Sequence, residues 1–257
     1  MLDKFLFDEA MDDPENVKTM LDIVLSQNTN LKQSPQTEKE QRISTDNRQI
    51  RLDVYAIDED DVIYEVEAQK ENTHNLLKRS RLYQGIIDSK LLPPGVVDFN
   101  LLNEVLIVMI TPFDLFGYGL YRYTFQMRCE EVPELKLDDG ATRIFLNTRG
   151  KHPELVSSEL IELLKYMEHS TDEVSEACES KRIQEMHRRV CRIKASEKTE
   201  VKYMQAWEEK LLERQKEKRE LLRKMNHKMS IEKIADVLDM DVSEVKHIIE
   251  EQYDTED

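Results

Sequence analysis

Cysteine is scarce in this chain, and the few present form no pattern. Cys129, Cys178 and Cys191 are odd in number among 257 residues, widely separated and in no CxxC pair. That spacing implies neither a disulfide framework nor a zinc site. Glycine (6) and proline (7) are also sparse, and no Gly-rich phosphate loop is present. His74, His152, His169, His187, His227 and His247 make no HxH or HExxH spacing and read as incidental, and no Ser-His-Asp arrangement stands out. Nucleotide hydrolases and serine hydrolases therefore have little support. No apolar run approaches a membrane span; the longest, Val105 to Ile110, suits a buried strand. The opening Met1-Leu-Asp-Lys-Phe has no basic-then-apolar leader, so no secretory signal is expected and the expected location is cytoplasmic.

What the chain has in excess is acid, with a net charge of −16. Taken alone, that sum argues against a nucleic-acid partner, because phosphate contacts need Lys and Arg. The distribution matters more. Residues 181–228 hold 16 Lys and Arg against 8 Asp and Glu, whereas residues 229–257 hold 2 against 10. A basic segment thus separates two acidic ones, and most of the acids belong to solvated surface.

Apolar periodicity predicts an opening helix over Asp8 to Ser26, with a start or restart at Asp13-Pro14. Asn28 to Asn47 is expected to be a loop with a weak edge strand. Two strands follow, Arg51 to Ile57 and Ile63 to Gln69, joined by the short acidic turn Asp58-Glu-Asp-Asp61. Asn72 to Leu92 reads as a helix burying Leu76, Leu77, Leu82, Ile86, Ile87 and Leu91, ended by Pro93-Pro94-Gly95. Further strands are expected at Glu104–Thr111, Tyr118–Met127 and Arg143–Asn147, giving a mixed sheet flanked by helices.

Beyond Gly150 the pattern becomes helical. Pro153 to His169 should bury Leu155, Leu160, Leu163, Leu164 and Met167, and Glu173 to Met225 reads as one long charged helical stretch. Its mixed Glu, Lys and Arg fit a solvated helix or coiled-coil arm better than a DNA-backbone contact. Met204, Trp207, Leu211 and Leu212 offer a packing stripe for a homo-oligomer through this tail. The last segment has two short helix patterns, each opening on a serine (Ser230, Ser243) as N-cap. It reads as a helix-turn-helix whose acidic second helix suits packing or interaction more than base reading. The expected domains are 1–170, 171–228 and 229–257.

The two adjacent strands carry the chemistry. Alternation puts Glu65, Glu67 and Gln69 on one face and Tyr64, Val66 and Ala68 on the other. With Asp53 on the neighbouring strand, the oxygens form the ligand set a hard cation such as Mg²⁺ prefers. The residues alone favour the plainer reading, solvent-facing acids of a half-exposed sheet.

Arg51-Leu-Asp53-Val54 followed by Glu67-Ala68-Gln69 resembles the PD-(D/E)xK nuclease superfamily, in its branch of recombination-promoting nucleases, also called transposases. That branch has an R-x-D-V strand and an E-x-Q strand in which Gln replaces the usual Lys. Leu2-Asp-Lys-Phe-Leu-Phe-Asp8, Lys78-Arg-Ser-Arg-Leu-Tyr83 and Tyr121-Arg-Tyr-Thr-Phe125 extend the resemblance over most of residues 1–150. It implies an α/β fold: a restriction-endonuclease-like mixed central sheet flanked by helices, here with an α-helical C-terminal extension. It also implies a Mg²⁺- or Mn²⁺-dependent DNA endonuclease tied to recombination or mobile elements.

On this resemblance Asp53 and Glu67 are metal ligands, joined by the backbone carbonyl of Ala68, while Gln69 orients the attacking water or contacts metal or phosphate. Gln69 can act neither as a general base nor as a cation, so water activation rests on the metal or on a further carboxylate. Glu65 is such an accessory candidate, read as surface or edge of site. Glu9, or Asp3, is the candidate for the acid many superfamily members carry on the first helix. Arg79, Arg81 and Tyr83 are candidate phosphate contacts, Arg offering a bidentate fork; an ordinary charged helix surface fits them as well. The rival class is an inactive nuclease-fold interaction or regulatory protein, and an RNA nuclease would share the same chemistry.

Overall fold

The computed structural model describes residues 1–41 and 50–250, in two compact units divided after Ser196. Among these residues, no helix is long and apolar enough to cross a membrane.

The opening helix is two. α1 (Lys4–Met11) is capped by Asp3, whose carboxylate accepts from the Leu6 amide at 3.2 Å, and buries Phe7, Ala10 and Met11. α2 (Pro14–Leu25) starts on Pro14 behind the Asp13 cap and buries Val17, Met20, Leu21 and Val24. Proline lacks the N–H needed to continue a helix but fits its first turn, so the chain breaks at Asp12-Asp13. Buried Asn16 spans the break, donating to the Ala10 carbonyl at 2.8 Å.

β1 (Gln36–Gln41) is the expected edge strand, and the rest of that expectation, residues 42–49, lies outside the described residues. β2 (Ile50–Ile57) and β3 (Ile63–Ala68) form the predicted antiparallel pair. Asp58 organises their turn: it accepts from the amides of Asp60 and Val62 and from the Tyr64 hydroxyl at 2.7 Å. α3 (Leu76–Asp88) crosses to β4 (Val105–Thr111), which runs parallel to β3; β5 (Arg122–Phe125) and β6 (Ala141–Asn147) follow. The six described strands form one mixed sheet in the order β1-β2-β3-β4-β6-β5. β4 lies between two parallel neighbours, which is why its sequence is an unbroken apolar run. β5 is shorter than the Tyr118–Met127 pattern, because residues 114–120 form a loop held by Asp114, which accepts from the Phe116 and Gly119 amides and the Tyr123 hydroxyl.

One sheet face packs Val54, Ala56, Tyr64, Val66, Ala68, Val108 and Ile110 against α1, α2, α4 (Ser158–Glu168) and α6 (Lys181–Lys194). The other packs Tyr55, Ile63, Ile107 and Met109 against Leu76, Tyr83, Ile86 and Ile87 of α3. Two residues of the expected α3 stripe, Leu77 and Leu82, are exposed; Ser80, Tyr83 and Gln84 are buried in their place. The helix is rotated so that polar residues face the sheet, a choice that apolar periodicity could not register.

The segment 153–169 is a 3₁₀ turn at Pro153–Leu155 followed by α4, so Leu155 is exposed while Leu160, Leu163, Leu164 and Met167 are buried as expected. Leu164→Ala should therefore lower the midpoint of urea unfolding by the equivalent of about 2–5 kcal/mol, and Leu155→Ala by no more than about 0.5 kcal/mol.

The long charged stretch is three helices: α5 (Asp172–Glu176), α6 and α7 (Glu197–Asn226). Thr171 and Ser180 cap α5 and α6, accepting from the Val174 and Ile183 amides. Ile183, Met186 and Val190 of α6 enter the sheet's core, so the first unit runs past the expected boundary at 170 to Ser196. Charge density concealed this narrow apolar stripe.

The second unit joins α7 to α8 (Ile231–Leu238) and α9 (Val242–Glu250) around Leu222, Ile234, Ala235 and Val245. The two terminal helices are as expected, but α9 starts at Val242. Asp241 takes the capping role expected of Ser243, accepting from the Ser243 amide at 2.7 Å. Met204, Trp207, Leu211 and Leu212 of α7 are exposed.

Candidate metal centre

β2 and β3 bring Asp53 and Glu67 to one place on the sheet. Val54↔Val66 is the last pair of the β2–β3 ladder and Asp53 and Glu67 follow it on their strands, while Tyr55 stands opposite Glu65. By alternation Glu65 and Glu67 share the face of Ile63, the face that α3 covers. None of the three acids is a solvated surface group. Asp53 and Glu67 are each 5% exposed and Glu65 is 0% exposed, which corrects the surface reading of Glu65.

Burying carboxylates without full compensation is costly, and the compensation here is partial. Lys4 on α1 donates to Asp53 Oδ1 at 2.6 Å and to Asp8 Oδ2 at 3.0 Å. Arg79 on α3 donates to Glu67 Oε1, and to Gln69 Oε1 at 2.7 Å. Gln69 in turn donates to the Glu71 carbonyl at 2.9 Å. Among the described residues, neither oxygen of Glu65 has a hydrogen-bond partner, and Glu67 Oε2 has none either.

The charge balance sets the acidities. Burial pushes the Glu65 carboxyl well above its ordinary value; Glu67 and Asp53 push it further, and Arg79 opposes them. Burial likewise raises Glu67, to about 7, with Asp53 adding to the rise and Arg79, Lys4 and Tyr83 working against it. Burial also raises the Tyr83 phenol, and the Glu67 charge beside it adds to that. Lys4 shows the reverse balance: burial alone would lower its pKa, but Asp53 and Asp8 more than offset this and hold it above the ordinary value. Arg79→Gln should raise the Glu67 titration above its value near 7, because the largest opposing charge is removed; carboxyl carbon shifts followed by NMR against pH check this.

Compared with protein-family models, with curated proteins and with solved structures, the chain matches none.

The remaining candidates divide. Arg79 and Tyr83 lie on the buried face of α3 beside Glu67, whereas Arg81 and Lys78 are exposed on the turns between them. Ala68 ends β3, with its side chain in the opposite core. On the first helix, Asp3 is the α1 cap and Glu9 is half-buried; the acid joined to Asp53, through Lys4, is buried Asp8. Sequence reading missed Lys4 and Asp8. Their i,i+4 spacing inside the quoted opening motif was the available signal.

The carboxylate oxygens are of the kind Mg²⁺ and Mn²⁺ take, but among the described residues those of Asp53, Glu65 and Glu67 are not drawn together within reach of one ion, so the acids would have to close in to hold it. Lys4, whose side chain is half exposed, is the cation best able to yield its place.

Proposed function

We propose that this protein is a Mg²⁺- or Mn²⁺-dependent endonuclease that hydrolyses phosphodiester bonds in DNA, with a restriction-endonuclease-like core in its first unit. The observation that carries the reading is the buried carboxylate group Asp53, Glu65 and Glu67, left partly without partners beside two cations. A fold seeking stability alone gains nothing from three buried acids on adjacent strands, whereas a site that must hold a cation needs them.

Asp53 and Glu67 would hold the ion together with the Ala68 carbonyl. When bound, the ion would neutralise phosphate charge and lower the pKa of water. Gln69 cannot supply the positive charge of the Lys it replaces in the motif it resembles. Arg79 stands 2.7 Å from Gln69 and supplies that charge from α3 instead. Its fork suits a phosphate oxygen once Glu67 has taken up the cation. Gln69, held between Arg79 and the Glu71 carbonyl, would orient the water. Glu65, close behind Glu67, is the carboxylate able to accept a proton from it.

One observation favours the rival reading, an interaction protein that keeps the fold: Lys4 and Arg79 already pair with Asp53 and Glu67, as they would if protein cations had replaced the metal. Incubation of supercoiled plasmid, linear duplex and a parallel RNA with Mg²⁺, Mn²⁺ or EDTA separates them. The endonuclease predicts metal-dependent nicking of the plasmid. Cleavage of RNA alone changes the substrate, and absence of cleavage with every polymer supports the interaction protein.

A further inference from the structure

The scattered cysteines and histidines of the sequence include one pair that the fold brings together with an acid. Asp172, at the start of α5, and His187 and Cys191, one turn apart on α6, converge there. His187 Nε2 lies 2.8 Å from Asp172 Oδ1 and 3.4 Å from Cys191 Sγ, and Sγ lies 3.9 Å from the same Oδ1. The other ring nitrogen, Nδ1, lies 3.1 Å from the hydroxyl of Tyr166, which is fully buried on α4.

A neutral imidazole has one N–H and one lone pair, so Nε2 cannot serve both carboxylate and thiol with good geometry. If Nδ1–H donates to the Tyr166 oxygen, the Nε2 lone pair faces Asp172 Oδ1; Sγ, which also lies 3.9 Å from Nδ1, stands beside the ring and has to turn toward that lone pair to share an ion with it. A metal-binding histidine is held in the same way, its far nitrogen donating to a fixed acceptor. Zinc bonds of about 2.3 Å to sulfur and about 2.0–2.2 Å to nitrogen and oxygen place tetrahedral donors roughly 3.2–3.7 Å apart. The two sulfur separations reach that range by a few tenths of an ångström or less, whereas the Nε2–Oδ1 separation must open by about half an ångström or more. Asp172 is 78% exposed at its side chain and can supply that shift, while His187, 10% exposed, stays fixed.

We propose that Asp172, His187 and Cys191 form a site for a borderline-soft divalent ion of the Zn²⁺ class, with the fourth position open to water. The thiolate and imidazole exclude Mg²⁺ as its natural occupant, so this site is chemically distinct from the oxygen site on β2 and β3. On binding, the Cys191 thiol releases its proton to solvent and the sulfur takes up the metal bond, with no change of oxidation state. The ion would clamp the start of α5 to α6.

Titration of the full chain with Co²⁺, a spectroscopic stand-in for Zn²⁺, tests this. A thiolate-to-cobalt charge-transfer band in the near ultraviolet should saturate at one equivalent and disappear when Zn²⁺ is added. Cys191→Ser should abolish the band, while Cys129→Ser and Cys178→Ser keep it. Tyr166→Phe, which removes the acceptor for Nδ1–H and keeps the ring, should weaken Co²⁺ binding about 10- to 100-fold. A missing band, a band surviving Cys191→Ser, or no saturation below millimolar Co²⁺ overturns the proposal. Circular dichroism of each variant separates loss of the ligand from loss of the fold.

Discussion

Asp53→Asn and Glu67→Gln are each expected to lower the rate of plasmid cleavage by about 10³-fold or more at saturating Mg²⁺, with the fold intact. Both substitutions keep side-chain volume and remove one negative charge from a buried place on adjacent strands. Loss of a charged ligand weakens cation binding and removes the electrostatic stabilisation of the reaction, and about 10³-fold corresponds to about 4 kcal/mol of barrier. Arg81→Ala is the contrasting case. Arg81 is exposed and lies off the α3 face that meets Glu67, so its loss should change the rate by less than about tenfold. Single-turnover cleavage under matched ionic strength measures all three. Equal rates for wild type and both acid variants would remove the site from the reaction.

Glu65→Gln is expected to stabilise the metal-free protein, by about 1–3 kcal/mol at pH 8, a sign opposite to that of most core substitutions. Both Glu65 oxygens are buried and, among the described residues, without a hydrogen-bond partner, beside the charges of Glu67 and Asp53. The amide keeps the shape and removes the repulsion.

The same imbalance gives a pH dependence. Glu67 has a folded pKa of about 7 against an ordinary value of 4.5. Between these values the folded state binds more protons than the unfolded state, so the metal-free protein loses stability as pH rises from 4.5 to 7. Above pH 7 the penalty is complete. Saturating Mg²⁺ should flatten that slope, since the ion replaces the protons, and should stabilise wild type more than Glu65→Gln. Urea unfolding at pH 5.5 and 8, with and without Mg²⁺, checks the direction of each change.

How far the sequence carried the structure depended on whether one residue pattern had one physical reading. The β2–β3 pair was legible because alternation over Ile63 to Ala68 and an acidic turn admit only one arrangement, and β4 because a strand between parallel neighbours must be apolar throughout. α3 was legible as a helix but not in its rotation. Its buried face holds Ser80 and Gln84 because it also positions Arg79 and Tyr83 over the acids. The boundary at Ser196 was hidden by the charges of α6, whose stripe of Ile183, Met186 and Val190 is too narrow to stand out from its Lys and Arg.

The candidate site was legible as far as neighbours in sequence could define it. Asp53 and Glu67 lie on strands joined by a short turn, each one residue beyond the last pair, Val54↔Val66. The complete burial of Glu65 follows instead from α3 closing over the sheet, and the approach of Lys4 from α1 reaching a strand 49 residues away. The cluster of Asp172, His187 and Cys191 escaped for a related reason. The His187–Cys191 pair has helical spacing, but its third member is supplied by the start of α5, 15 residues earlier.

The most direct test of the central claim is a calorimetric titration of Mn²⁺ at pH 7, with Cys191→Ser as the background so that the thiol cluster contributes nothing. The carboxylate centre predicts saturable binding with proton release, since a cation entering the site competes with the proton on Glu67, whose pKa burial raises to about 7. It also predicts that Asp53→Asn and Glu67→Gln, placed in the same background, bind Mn²⁺ at least about tenfold more weakly, with the proton release lost in Glu67→Gln. Mn²⁺ uptake that is absent, or unchanged by either substitution, would contradict the account.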